Sequence, residues 1–530
     1  MPMTDVLVVG SGISGSLCAQ GLLDAGASVL MLDVGRDDPL RNQIPDAPFS
    51  EVRSLDPRQS EYFLGPDLDS LAPRGVKVGA QLTPPRQYIT RGAAGILPYQ
   101  SDSFFPLVPV SLGGLGAGWG GACFTFSDDE LQRAGLPVDG FRHFYQRAAE
   151  IIGVSAAGPD PDLWTGVAGH LPPLELDENA ERIAAHAPDL SRQGMTLGRI
   201  PMAILSEDYR GREANPYFDL DFYGDARRSL FRPRYLIEEM ERHAQFHFQR
   251  GRAVVRCESG SSGVVIRAVE VDTGRRERYE ARRVVLCAGA LQTARIVLNS
   301  LERPGVPLPI LCNPYTYFPT VHWRMLGRPA RDRRHSMAQL GGVLRRAGTA
   351  EVYGCYQMYS YRSLLLFRLV KEMPLPPPLG LLTARVLMNS LAIFGIFFAD
   401  QQASSKWLRI DRLEQLRVPE LRLEYALTEA EEQTRREHER IFRQGLRALG
   451  CYPIGRVDPG RAGSIHYAGT VPYRNPLTPE IHALPDDSVA GLPHVYLGDG
   501  SAWNFLPAKG LSFTLMANAL RVASNVARNA

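Results

Sequence analysis

The segment spanning residues 5–33 constrains this chain more than any other. Residues 5–9 (DVLVV) form a short apolar run of the buried-strand type. It passes directly into Gly10-Ser-Gly12-Ile-Ser14-Gly15 and then into SLCAQGLLDAG, whose apolar spacing and closing Gly26 predict a helix. A second apolar run, 28–32, ends at Asp33. Each residue type has a physical task in such a βαβ unit. Gly10 permits the tight turn, Gly12 lets the backbone approach a pyrophosphate, Gly15 lets helix and strand pack closely, and the helix N-terminus faces the phosphates. Asp33 is placed to accept hydrogen bonds from ribose hydroxyls, which favours FAD or NAD over a 2′-phosphorylated dinucleotide. A glycine box alone is a weak signal; the strand before it, the helix after it and the acid at this spacing make it strong.

The 530 residues allow roughly three to four domain-sized units, or one large α/β body with insertions. With 59 Lys+Arg against 57 Asp+Glu, the charge offers no overall handle on nucleic acid or an anionic membrane. The 50 Gly and 40 Pro follow no collagen-like period, so they predict many ordered loops. Seven scattered cysteines without a C-x-x-C pair suit neither a disulfide framework nor a zinc site. His243 and His247 lie four residues apart but lack a third ligand, so no metal is expected. No signal-peptide pattern precedes the first strand, and a reducing, cytoplasmic setting is expected. The most membrane-like stretch, 380–400, is interrupted by Arg385 and Asn389 before it reaches the roughly 18 apolar residues a span needs. Its core, 380–399, reads as a buried helix, with a lid, channel wall or surface contact as the competing reading.

Further along, residues 40–110 and 155–230 read as loops and excursions, with a helix near 141–152 between them. β-type strings follow 243 and run to 289, and 306–427 alternates β-rich runs, the antiparallel-sheet candidate. Thr428-Glu-Ala-Glu431 is a capping box that opens a charged helix running toward Gly450.

The N-terminal box, the string RRVVLCAGALQTARIVL and the C-terminal VYLGDGSAWNFLPAKGLSFTLMANALRVA together resemble the glucose–methanol–choline (GMC) flavoprotein oxidoreductases. The resemblance covers 5–36, about 111–123, 283–297 and 464–523; the centre shares only a β-rich habit. It implies an α/β fold: a doubly wound, Rossmann-like FAD domain from 1–45, 85–175, 228–305 and 458–530. A substrate domain with a mainly antiparallel sheet and helices would take 46–84, 176–227 and 306–457. It implies non-covalent FAD held by Gly10, Gly12, Ser14, Gly15, Asp33, Val254, Ala288, Gly289, Asp499 and Gly500. The glycine run 111–122, with Gly113, Gly114, Trp119 and Gly120, would pass over the isoalloxazine, and Gly510, Leu511 and Phe513 would lie near it. Some family members anchor FAD through a His near the Trp; Gly118 stands there, which excludes that covalent link.

The family's base is a His late in the chain, matched by His466 in SIHYAGT. Neutral imidazole, with its ordinary pKa near 6.5, suits proton acceptance at neutral pH. A second polar partner, His or Asn, normally stands where this chain has Gly510, so Lys509, Asn504 or a water would have to compensate. The implied activity is FAD-dependent oxidation of a hydroxyl on a small or lipophilic organic substrate, with oxygen or another acceptor taking the electrons. The Gly510 departure keeps a non-redox lyase, isomerase or cyclase as the alternative.

Overall fold

The computed structural model describes residues 4–37, 44–65, 82–160, 162–329, 333–346, 349–364, 375–414 and 417–528. The N-terminal unit forms as its pattern dictates: strand Thr4–Val9, helix Ile13–Asp24, strand Val29–Leu32. These strands become the middle of a parallel array. Thr4–Val9 pairs with Val29–Leu32 on one side and with Arg276–Leu286 on the other. Val29–Leu32 pairs in turn with Phe246–Gln249, and Arg276–Leu286 with Leu492–Leu497. A hairpin, Arg252–Gly260 and Gly263–Glu270, hangs antiparallel from Arg276–Leu286.

Both faces of the parallel array are covered, which is why its strands are almost continuously apolar. Val6, Val8, Val29 and Met31 pack with helices Ile13–Asp24, Phe141–Ile152 and Ser512–Arg528. Leu7, Val9, Leu30 and Leu32 pack on the opposite face with helix Ala290–Ser300 and the hairpin. This is the mixed α/β, doubly wound arrangement expected from the sequence.

The second sheet has six strands in the order Cys451–Pro453, Tyr315–His322, Leu391–Phe398, Val352–Tyr359, Leu340–Arg345 and Gly198–Arg199, all antiparallel. Its two faces separate cleanly because residues alternate. Phe318, Tyr356, Met358, Phe394, Ile396 and Phe398 lie on one face with Phe442 and Leu446 of helix Glu429–Ala448. The register places Tyr315, Phe397, Gln357 and Tyr359 together on the other face. The Thr428 capping box forms as expected, with both reciprocal hydrogen bonds.

Two expectations are corrected here. The apolar stretch 380–399 is not one buried helix. Helix Pro377–Leu387 breaks at Asn389-Ser390, and Leu391–Phe398 becomes a wholly buried strand near the middle of the six-stranded sheet. β-branched and aromatic residues (LAIFGIFF) favour the strand, while Leu379 and Leu382 of the helix stay 52% and 59% exposed. Residues 155–230 are less irregular than predicted: Asp177 caps a helix, Glu178–Ala185, by accepting from the Ala180 amide. Residues 66–81, part of the predicted excursion, lie outside the described residues. All seven cysteines are free and buried. Among the described residues no helix is long and apolar enough to cross a membrane.

Candidate active site

A cavity lies between the parallel array and the six-stranded sheet. Its empty volume, with the open solvent at its mouth included, is about 1960 Å³. Gly10, Gly12, Ser14, Asp33, Gly114, Trp119, Gly120, Val254, Ala288, Gly289, His466, Asp499, Gly500, Gly510 and Leu511 all line it. Gly118 lines it too. Three expected residues do not. Gly15 packs behind the wall, where a Cβ would fall 1.9 Å from the Gly10 carbonyl oxygen, the close helix–strand contact its motif position implied. Gly113 also stands behind the lining. Phe513 belongs to the core, stacked between Tyr145 and Trp164 at centroid distances of 5.3 and 5.2 Å. The resemblance placed it near the cofactor, but the helix turns it into the core.

At the nucleotide end, Gly10 adopts φ +103° and its Cα approaches the next strand so closely that a Cβ would lie 2.4 Å from Cys287 O. The following helix has no side-chain cap at Gly12, which leaves its first amides to the cavity. Ser11, which the motif does not specify, joins the two glycine runs. Its amide donates to Asp33 Oδ2 at 2.6 Å, its hydroxyl donates to the same oxygen, and the Gly113 amide donates to Ser11 Oγ at 3.0 Å. Burial raises the Asp33 pKa above its usual value, and the Ser11 bonds oppose that rise.

Asp499 is likewise structural as well as lining. It accepts from Gly289 N at 2.9 Å, Thr293 Oγ1 at 2.6 Å and Ser501 N at 3.0 Å, tying two loops together beneath the cavity.

Helix Ala290–Ser300 presents Leu291, Gln292, Arg295 and Ile296 to the cavity. Arg295 is 1% exposed and donates through Nη2 to Pro98 O at 3.0 Å, but among the described residues its Nε and Nη1 have no partner, and neither has Gln292 Oε1. Burial pulls the Arg295 pKa down to about 9. Buried donors and acceptors left unpaired are costly. An unpaired acceptor and unpaired donors three residues apart on one helix face therefore fit a bound group that offers both. A dinucleotide meets these features: free helix amides for phosphate, Asp33 for ribose, and Gln292 with Arg295 for a base edge.

At the other end, His466 sits in a strained loop. Ile465 has φ +63°, a true outlier for a β-branched residue. Tyr467 and Ala468 pair antiparallel with Cys312 and Leu311, which sets Asn313 beside His466. His466 Nδ1 lies 2.9 Å from Asn313 Oδ1. The Asn313 amide nitrogen donates to Phe398 O at 2.7 Å and Pro507 O at 2.9 Å. Both amide hydrogens are thus spent on carbonyls, so Oδ1 must accept and His466 Nδ1 must carry the proton. The basic lone pair of neutral His466 is consequently on Nε2. Phe397 stacks on the imidazole at 4.9 Å, and removal from water lowers the His466 pKa to about 4.

Neither proposed stand-in for the missing partner reaches this point. Lys509 Nζ is buried in an ion pair with Glu130 at 2.9 Å and donates to Thr125 O at 3.0 Å. Asn504 Oδ1 accepts from the Arg474 amide at 2.7 Å. Gly510 itself faces Phe124, whose ring carbon would lie 3.1 Å from an added Cβ.

The six-stranded sheet contributes Gln357, Tyr359 and Phe397 to the lining, all missed from sequence. A glutamine alternating with apolar residues in EVYGCYQMYSY was the available signal.

The chain shares its overall fold with solved oxidases. It resembles pyridoxine 4-oxidase from Mesorbium loti with a TM-score of 0.60 at 16% identity, covering 98% of each chain. It also resembles formate oxidase from Aspergillus oryzae RIB40, in a variant made to study FAD modification, with a TM-score of 0.61 at 12% identity, covering 99% of this chain and 98% of that one. No family model and no curated protein matches the sequence.

Proposed function

We propose that this chain is an FAD-dependent oxidoreductase that oxidises a hydroxyl group of a small organic molecule, with His466 as general base and dioxygen as electron acceptor. The observation that carries the reading is the tautomer lock: Asn313 fixes the proton on His466 Nδ1, within a cavity whose far end offers a dinucleotide cradle. The names of its structural neighbours, a pyridoxine and a formate oxidase that share the fold, support an oxidase of small molecules.

Gly12–Ser14 would hold the pyrophosphate of FAD, Asp33 its ribose, and Gln292 with Arg295 its adenine edge. Bound FAD would supply the hydride acceptor that oxidation of a carbinol to a carbonyl requires. His466 Nε2 takes the hydroxyl proton. Its depressed pKa keeps that nitrogen unprotonated at neutral pH, and Phe397 holds the ring plane. Gly118 offers no side chain for a covalent anchor at that position, and the reading takes the cofactor as non-covalently held.

The test is anaerobic mixing of purified protein with a panel of alcohols. Bleaching of the visible flavin band supports the reading. Turnover without bleaching supports the non-redox alternative that Gly510 motivates. A colourless protein that does not take up added FAD ends both.

A further inference from the structure

Val352–Tyr359 carries a polar device that the proton-transfer chemistry does not use. Gln357 and Tyr359 lie two residues apart, so both point to the cavity face, and both line the cavity beside Phe397 and His466. Gln357 is 5% exposed in a strand otherwise packed with apolar side chains. The Tyr359 hydroxyl donates to Gln357 Oε1 at 2.7 Å. With Oε1 accepting from Tyr359, Nε2 is left as a donor, and among the described residues nothing accepts from it. Because Gln357 lines the cavity, that donor is open to a bound group that can accept from it.

The charge of that group follows from the surroundings. Asp33, Arg252, Arg295 and Asp499 are charged residues that line the cavity. All four belong to the nucleotide-side elements. Arg252 pairs with Glu277 at 3.0 Å, and Asp499 is spent on Gly289, Thr293 and Ser501. From the six-stranded sheet, and from 464–467 and 510–515, the described lining residues bring no charge other than that of a protonated His466. Among these described residues a carboxylate or ammonium on the substrate meets no counter-ion to offset its dehydration, whereas an uncharged group needs none.

We infer that Gln357, oriented by Tyr359, is the anchor for an oxygen acceptor on an uncharged substrate, separate from the hydroxyl that His466 deprotonates. The inference rests on the hydroxyl-oxidase reading above. The substrate class is therefore an uncharged alcohol with a second oxygen, carbonyl, ether or hydroxyl, set on an apolar body that meets Phe397, Trp119 and Ile465.

A matched panel of primary alcohols tests this on the FAD-loaded protein: uncharged, anionic and cationic, aliphatic and aromatic, each with and without a second oxygen. Anaerobic flavin reduction should favour uncharged members, and the second oxygen should lower the concentration giving half-maximal rate. Gln357→Leu should raise that concentration roughly tenfold for the two-oxygen members, the worth of one hydrogen bond. It should leave the limiting rate and the one-oxygen members nearly unchanged. Tyr359→Phe, which keeps the ring, should act in the same direction by less, so the test survives if Gln357→Leu fails to fold. Preference for charged members, or equal effects on one- and two-oxygen alcohols, overturns the anchor while leaving the oxidase reading standing. Bleaching by no member of the panel overturns both.

Discussion

His466 and Asn313 face each other across a ladder of only two residue pairs, and Asn313 determines which imidazole nitrogen is basic. Removing it has two consequences that can be separated. Asn313→Ala frees the tautomer and leaves Phe398 O and Pro507 O without their donor. Flavin reduction should slow by roughly tenfold or more, yet by less than the 10²–10⁴ expected for His466→Ala, since a general base is worth about that much. Both are read by anaerobic stopped-flow with FAD content checked by absorbance. Asn313→Asp should shift the pH profile of reduction upward, because a carboxylate on Nδ1 favours the imidazolium. A reduction rate for His466→Ala equal to that of the unaltered protein removes the base assignment.

The same histidine makes stability depend on pH. Its folded pKa is lowered from 6.5 to about 4 by burial. The unfolded chain therefore binds a proton on this residue at a higher pH than the folded chain does. Its contribution is intact above about pH 6.5 and is lost as pH falls from there toward 4. Denaturant titrations at pH 7 and pH 5 should differ by about 1–2 kcal/mol from this group, and His466→Gln should shrink the difference by that amount. Reduction rate should likewise hold level through neutral pH and fall only in acid.

The βαβ unit of residues 5–33 was legible because each part of that motif is local: one turn, one helix start, one acid. Gly10, Gly12 and Asp33 stand where their spacing put them. Ser11, Gln292 and Arg295 were not legible, since each acts through a partner, or a missing partner, from a distant segment. Asn313 is a stronger case. It meets His466 across 153 residues of sequence through a two-pair ladder that no periodicity announces. The stretch 380–399 was misread for another reason: hydrophobicity without a period does not separate strand from helix, and the Asn389-Ser390 break was read as an interruption of one element rather than a boundary between two.

Cofactor affinity should report both halves of the nucleotide cradle. Asp33→Ala removes the ribose acceptor and the anchor of Ser11, and should weaken FAD binding by about 1.5–3 kcal/mol. Arg295→Met should weaken FAD binding while raising the melting temperature of the apoprotein, because it deletes a buried cation with two unpaired nitrogens. Titration of apoprotein with ADP and with inosine diphosphate is the sharper measurement. The unaltered protein should prefer ADP, whose exocyclic amine and ring nitrogens complement Gln292 Oε1 and the guanidinium. Arg295→Met and Gln292→Leu should reduce that preference. Equal affinities in the unaltered protein would place the adenine elsewhere.

Lys509 gives a control with no part in the chemistry. It and Glu130 are almost fully buried and paired. Lys509→Met leaves the buried Glu130 carboxylate without its cation, with the Ser127 amide still donating to it, and should cost roughly 3–5 kcal/mol of stability, seen as a lower denaturation midpoint. The limiting rate of flavin reduction in the protein that remains folded should not change. A lowered limiting rate with normal stability would return Lys509 to the active site.

Gly510→Asn is the variant that bears most directly on the chemistry. The position lines the cavity, and its φ lies outside the left-handed region, so a side chain meets no backbone strain there. The obstacle is Phe124, a fully buried ring whose edge would lie 3.1 Å from the new Cβ. The ring must yield by a few tenths of an ångström, which predicts a modest loss of stability, about 1–2 kcal/mol, with FAD still bound. Two outcomes for activity then divide the readings. If the substrate leaves the space at Gly510 empty, the amide adds a hydrogen-bonding group near the reacting oxygen, and the rate of flavin reduction should stay similar or rise. If part of the substrate occupies that space, Asn fills it and turnover should disappear while the flavin spectrum and fold persist. Gly510→Ala separates the steric effect from the polar one: a loss shared by Ala and Asn marks an occupied space, and a gain confined to Asn marks a missing hydrogen bond restored.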